Sequence, residues 1–389
     1  MARLAFRLLF FIALSAVLLG GIHLYLYRRL VRDVTTNPEL RRWGALAMFV
    51  LAMWVIVSRP LAFALPSART QAVVFFGAVW SGVALALSGI LGTIDVVGFL
   101  NQRIRRVLAK PTSPERRLFL TRTLATGSVV AASGLSAFSV RQAITPAEVT
   151  EVALKLPRLP ETLEGMTLVQ FSDIHIGALL QEGFVQHLVE RSNALRPDAV
   201  VITGDLVDGT VSQLGRFVAP LQNLKNRWGT FFVTGNHDYY SGADDWCAAL
   251  EGLGLHVLRN RHVVLGDAGG AVDMVGVDDW GARKRGRGYD LNAALRGRTE
   301  DHAAILLSHQ PANFDEASER GIGLQLSGHT HGGQVFPATV IAGWAWPHVR
   351  GLYRVGENHI YVSRGTGFVG PPMRLGSPPE IVRFTLQAG

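Results

Sequence analysis

Two histidines one residue apart, His329 and His331, stand in "LSGHTHGGQ" (326–334), flanked by glycines and preceded by a short apolar run. A neutral imidazole offers a lone pair to a metal, so two rings on one turn can serve one centre. That turn alone does not separate a metal centre from an ordinary glycine-rich loop, but the rest of the chain supplies partners. Asp173 and His175 close "MTLVQFSDIH" (166–175), and Asp205 with Asp208 closes "DAVVITGDLVD" (198–208). Asn236, His237 and Asp238 lie in "GTFFVTGNHDYY" (229–240), and His309 lies in "AAILLSHQP" (303–311). Five apolar runs therefore end in Asp, Asn or His, and α/β sheets bind ligands where strands end in loops. A carboxylate has enough lone pairs to bridge two ions, and nitrogen and oxygen donors without thiolate favour Mn, Fe or Zn over Mg alone.

These runs need a scaffold. Helix-like segments at 182–195 and 212–226 separate the first ones, and further strands are expected at 271–280, 359–365 and 380–386. Strands alternating with helices predict an α/β domain with extensive sheet, over 166–389. A polar, proline-containing linker is expected at 141–165, and a membrane region at 1–140. That region holds four apolar blocks, about 4–27, 43–58, 71–94 and 118–140, each near the ~20 residues that span hydrocarbon.

Charge divides the chain in the same place. Up to Arg141 there are 17 Lys/Arg against 4 Asp/Glu, and from Gln142 onward 21 against 26, which together make the net +8. The basic character belongs to the apolar third, so no nucleic-acid partner is expected for the motif-bearing part. The loops 28–42 and 95–117 carry 11 Lys/Arg between them. Four spans put those loops on one side, which the positive-inside rule makes cytoplasmic. The expected location is the inner membrane, multi-pass, with the later domain on the extracytoplasmic side. "SPERRLFL" (113–120) resembles a twin-arginine export signal placed internally. The single cysteine, Cys247, excludes an internal disulfide.

The order D-x-H, G-D-x-x-D, G-N-H-D, a lone His and G-H-x-H stands here as "SDIHIG", "TGDLVDG", "TGNHDYY", "LSHQP" and "SGHTHGG". It resembles the signature of the calcineurin-like metallophosphoesterases, with no element missing. "ILLSHQP" and "LSGHTHGGQ" look like the branch of bacterial membrane-associated or exported phosphoesterases. The resemblance implies a four-layer α/β/β/α sandwich and two divalent transition metal ions. One ion would be held by Asp173, His175, Asp205 and His331, the other by Asp205, Asn236 (through its amide oxygen), His309 and His329. Asp205 would bridge, and a water between the ions would attack phosphorus. His237 would serve the leaving group rather than a metal, with Asp238 holding its imidazole, while Asp208 would orient a ligand or loop.

The substrate is expected to be a phosphate ester or pyrophosphate, on a lipid-linked or envelope molecule because the tether keeps the domain near such compounds. Arg283 and Arg285 in "DDWGARKRGRGYD" (278–290), and Arg374 in "PPMRLG", are the candidate substrate cations. The aromatic, glycine-containing stretch "VIAGWAWPHVRGLY" (340–353) is a candidate to rim the pocket or touch membrane, but Trp344 and Trp346 alternate with small residues, which favours ordinary packing. The competing function is a catalytically silent scaffold at the membrane. Loss of ligands would mark it, and every expected ligand is present.

Overall fold

The computed structural model describes residues 17–64, 68–105, 113–267, 269–285 and 288–389; the side chains of 59–64, 68–69, 101–105, 267 and 283–285 lie outside that description. The chain forms two compact units, Met1–Arg141 with Gly370–Met373, and Gln142–Val369 with Arg374–Gly389.

The first unit is helical. Most of the apolar block 4–27 lies outside the described residues; the chain is helical from residue 17 and passes through a π-helical turn at Arg28–Arg32. Helices α1 (Pro38–Ala64), α2 (Ala68–Arg105) and α3 (Pro114–Ile144) follow. Each contains a stretch long and apolar enough to cross a membrane: Pro38–Ser58, Thr70–Leu100 and Pro114–Ile144. Helices suit hydrocarbon because every backbone N–H and C=O is satisfied within the segment. Exposed Phe49, Val50, Phe76 and Leu85 give these helices the apolar surface that lipid would cover. Asp95 is paired: Arg29 lies 2.8 Å from one carboxylate oxygen, and the Tyr25 hydroxyl donates to the other at 2.8 Å.

The second unit is built from strands β1 (Glu148–Leu156), β2 (Thr167–Phe171), β3 (Ala199–Thr203), β4 (Thr230–Val233), β5 (His256–Val257), β6 (Arg261–Asp267), β7 (Gly270–Gly276), β8 (Ala303–Leu307), β9 (Leu324–Ser327), β10 (Gly351–Val355), β11 (Asn358–Val362) and β12 (Glu380–Ala388). Two six-stranded sheets result, ordered β1-β12-β2-β3-β4-β5 and β10-β11-β9-β8-β7-β6. Uninterrupted apolar runs make this possible, because successive side chains alternate faces and both faces of each sheet are covered. In β3, Ala199 and Val201 enter the core between the sheets, whereas Val200 and Ile202 face helices α4 (Glu182–Leu195), α5 (Val211–Val218) and α7 (Ala243–Gly252). In β8, Ala303, Ile305 and Leu307 meet the first sheet, while Ala304 and Leu306 pack under α8 (Leu291–Leu295) and α9 (Phe314–Glu319). The layers are therefore α/β/β/α, as the resemblance implied.

Two sequence expectations change. The segment 141–165 is not a free linker: α3 continues to Ile144, and β1 pairs in parallel with β12 from Glu148 opposite Glu380 to Leu156 opposite Ala388. As an edge strand it buries little besides Leu154 and Leu156, so its polar composition hid it. The helix expected over 212–226 is α-helical only to Val218, after which Pro220 turns it into a 3-10 segment.

The sheets are also joined by a charged knot. Glu380, 1% exposed, accepts from Thr150 of β1 at 2.9 Å, from the Tyr361 hydroxyl of β11 at 3.2 Å, and from the Arg364 backbone and guanidinium at 2.7–3.0 Å. Removing the carboxylate strands a largely buried guanidinium and two hydroxyls. Glu380→Ala should cost about 3 kcal/mol, read as a lower denaturation midpoint of the detergent-solubilised chain.

Candidate metal centre

Strands β2, β3 and β4 run parallel in one sheet, and β7, β8 and β9 run parallel in the other. Their carboxyl ends deliver the motif residues. Gln170, fully buried in β2, aligns the two sheets just before that edge by donating to Thr203 Oγ1 at 2.9 Å and to the Ser327 carbonyl at 3.0 Å.

Beyond those ends the backbone turns sharply. Asp173, His175, Asp205, His329 and His331 all adopt left-handed conformations, with φ between 49° and 73°. That region costs a non-glycine residue about 1–2 kcal/mol. Five such residues at one site are strain that the packed sheets sustain, and it aims every side chain inward. Glycines make the close approach possible. A Cβ on Gly235 would strike the Asp205 carboxylate, and one on Gly328 would strike Ser172 and Asp173.

Among the described residues three groups result, each with donor atoms within 4.8 Å of one another: Asp173, His175 and His331 form one, Asp205, His309 and His329 another, and His175, Asp208 and His237 a third that shares His175 with the first. In the first, His175 Nε2 and His331 Nε2 are 3.1 Å apart, and His331 Nε2 lies 3.4 Å from Asp173 Oδ1. In the second, His309 Nε2 lies 3.2 Å from Asp205 Oδ2 and 3.2 Å from His329 Nδ1. Asp205 Oδ2 is also 3.9 Å from His175 Nε2, which places its carboxylate between the clusters. Asn236 Oδ1 is buried without a hydrogen-bond partner. The next residue, His237, donates its backbone N–H to Asp205, and an orphaned amide oxygen together with converging nitrogen and carboxylate lone pairs is a donor set that fits divalent cations.

Surrounding groups fix which atoms face inward. His309 Nδ1 donates to the Thr203 carbonyl at 2.8 Å, leaving Nε2 for the cluster. His175 Nδ1 lies 3.3 Å from Asp208 Oδ1, and Asp173 accepts from the Ser172 hydroxyl at 2.6 Å and the His329 backbone at 3.0 Å. These contacts hold imidazole tautomers and carboxylate directions in the way metal ligands require.

The ionisable groups of the site shift in opposite directions. Burial works against ionisation of Asp205, yet the His309, His175 and His237 rings hold its carboxyl well below the usual range. Burial would lower His309 too, but the Asp205 carboxylate outweighs it and raises the ring to about 10. His329 falls to about 4 through burial and the charge on His309. His331 lies well below its ordinary value because of burial, His175 and the Arg374 guanidinium.

His237 stands at the rim, half-exposed. Its backbone N–H donates to Asp205 Oδ1 at 2.8 Å, and its Nδ1 pairs with Asp208 Oδ1 at 2.6 Å. Among the described residues no protein atom partners its Nε2. Burial opposes protonation of this ring, but Asp208 and the Asp205 charge raise its pKa. The expected partner was Asp238, and the structure corrects that. Asp238 is fully buried beneath the loops, where its carboxylate accepts from the backbones of Leu206, Val207 and Gly235. It is a loop clamp, and burial with repulsion from Asp205 raises it to about 7. Asp208 instead orients two rings at once.

Arg374 is corrected as well. It is fully buried, and its guanidinium donates to the carbonyls of Arg364, Gly365, Gly367 and Ser377, 3.3 Å from His331 Nδ1. It shapes the loop beneath His331 and is not open to substrate. The side chains of Arg283 and Arg285 lie outside the described residues.

A sixth strand end escaped the sequence reading. After β7, buried Asp278 accepts from Thr234 at 2.9 Å and Arg259 at 2.9 Å, and buried Asp279 accepts from Gln310, the neighbour of His309, at 2.8 Å. The signal for it was present, since "VGVDDW" ends an apolar run in acids as the others do.

Arg374→Met should lower stability by at least about 3 kcal/mol, since four buried carbonyls lose their donor. Metal content should fall with it. A folded, metal-replete variant with only a raised KM would instead return Arg374 to substrate binding.

A calcineurin-like phosphoesterase family model matches residues 166–333. The chain is 35% identical to a transmembrane protein with metallophosphoesterase domain from Danio rerio, over 99% of this chain and 90% of that one. It is 41% identical to the protein of the same description from Bos taurus, over 70% of this chain and 64% of that one. It is 33% identical to an uncharacterized metallophosphoesterase of Helicobacter pylori, over 92% of this chain and 93% of that one. With the fold, the strand-end clusters and likeness along nearly the whole chain in agreement, this protein belongs to the calcineurin-like metallophosphoesterase family.

Proposed function

We infer that this chain is a membrane-tethered phosphoesterase whose Asp173 and Asp205 clusters would hold two divalent metal ions, with Asp205 a ligand common to both. The observation that carries the reading is the position of the Asp205 carboxylate, within 3.2 Å of His309 Nε2 and 3.9 Å of His175 Nε2. Asp173, His175, Asp205 and His331 would hold one ion, and Asp205, Asn236, His309 and His329 the other. The nitrogen and oxygen donor set favours Mn, Fe or Zn. Such a pair supplies neutralisation of phosphate charge and a water acidified for attack at phosphorus.

The chain's own residues do the rest. Asp208 holds His237 through Nδ1 and favours its protonation against the opposing effect of burial, so Nε2 is the nitrogen that can give a proton to the departing oxygen. The His237 backbone N–H fixes the second Asp205 oxygen, which ties the proton donor to the bridging group. The left-handed ligand residues keep the donors in place before substrate arrives. The Lys/Arg-rich loops 28–42 and 95–117 support a cytoplasmic side for those loops in the inner membrane, with the site on the opposite side. The tether favours a lipid-linked or envelope phosphate ester or pyrophosphate.

Metal content by elemental analysis, with hydrolysis of bis-p-nitrophenyl phosphate and p-nitrophenyl phosphate, tests this on the full chain in detergent. Wild type should carry two ions per chain and turn over at least one compound. Asp205→Asn should lose metal and activity together. His237→Ala should keep both ions while turnover falls by about 10²–10⁴. A folded wild type that binds no metal and hydrolyses neither compound with Mn or Zn supplied would leave the scaffold reading. Chelation should also lower the thermal midpoint of wild type and leave that of Asp205→Asn nearly unmoved, because only a bound ligand contributes linkage stability.

A further inference from the structure

One helix of the second unit is apolar where it faces water. Helix α10 (Ala338–Ala345) buries only Ala342, and Trp344 is 84% exposed. Phe336, Val340 and Ile341 beside it are each more than half exposed. From Phe336 to Trp346 the sequence reads "FPATVIAGWAW", without a charge and with Thr339 as its one polar side chain. A surface helix of a water-soluble unit carries a polar face, and this one has none. Exposed apolar patches of this kind mark an interaction surface. Ordinary packing, the sequence expectation for Trp344, does not describe it. The patch also adjoins the candidate site: the Trp346 ring lies 6.2 Å from that of His329.

We propose that α10 is an interfacial anchor, with Phe336, Val340, Ile341 and Trp344 seated at the headgroup–acyl boundary of the bilayer that holds this chain's own helices. Chain length favours that occupant. Helix α3, long and apolar enough to cross a membrane, ends at Ile144, and β1 begins at Glu148. The three residues between them, with the bonds at either end, reach roughly 10–14 Å fully extended. That short connection makes a bilayer the occupant this chain itself brings, whereas a protein partner has to be supplied. Tryptophan with small and branched apolar residues is also the composition that the membrane interface selects. The consequence for substrate rests on the phosphoesterase reading: a site beside this helix opens toward phosphate groups at the membrane surface, carried on amphiphilic molecules.

The test uses the full chain in phosphatidylcholine vesicles. Ala345 is exposed and small, and Cys247 is buried, so Ala345→Cys provides the thiol that takes a fluorophore. Val264→Cys, at an exposed position on β6, is the control within the same unit. Lipid spin-labelled near the headgroup end of its acyl chain should quench the label at 345 about twofold or more beyond the label at 264. Adding Ile341→Asp and Trp344→Asp should abolish that excess. No excess at 345 overturns the anchor, as does an excess that survives the two aspartates. Hydrolysis of bis-p-nitrophenyl phosphate in the same vesicles separates the two readings. Turnover without excess quenching removes the anchor alone, and excess quenching without turnover supports the anchor while removing the catalytic reading.

Discussion

Two imidazole nitrogens 3.1 Å apart, with carboxylate oxygens at 3.4 and 3.9 Å, form an arrangement that needs positive charge to persist. Lone pairs do not gather in a dry interior unless a cation or a proton answers them. Much of the second unit serves that gathering. Parallel strands in both sheets end at one edge, Gln170 aligns the sheets there, and five residues accept left-handed backbone so that their side chains converge. The raised pKa of His309 shows the same need, since its proton balances Asp205.

Support reaches outward from the ligands in successive contacts. Thr203 and Ser172 fix His309 and Asp173 from strand ends, and Asp208 serves His175 and His237 together. Asp238 and Arg374, both fully buried, hold the loops rather than any ligand of the reaction. They are the charged residues one would assign to chemistry from their neighbours in sequence, and burial assigns them to architecture. A fully buried carboxylate that accepts three backbone N–H groups, or a fully buried guanidinium that donates to four carbonyls, is committed to the protein and closed to substrate.

The helical unit and the sandwich obey different solvents. In the first, apolar side chains face outward and the acid Asp95 is neutralised by Arg29 and Tyr25. In the second, apolar strands are covered on both faces and polar residues gather at strand ends. Helix α10, which buries only Ala342, is an exception inside the second unit.

The amino-acid sequence made the motif residues and the strands that carry them legible. Those follow from local facts: apolar runs and glycines at turns. It determined the α/β/β/α layering only through resemblance, since periodicity does not say which sheet a strand joins. Tertiary structure alone decided the partner of His237, because Asp208 reaches that ring from the end of β3, 29 residues earlier, while adjacent Asp238 points into the loops. It decided that Arg374 is buried, that β1 is an edge strand held by Glu380, and that Asp279 joins the neighbourhood of His309. Each of these is a contact between residues distant in the chain, and neither composition nor spacing encodes which distant groups will meet once two sheets close on one another.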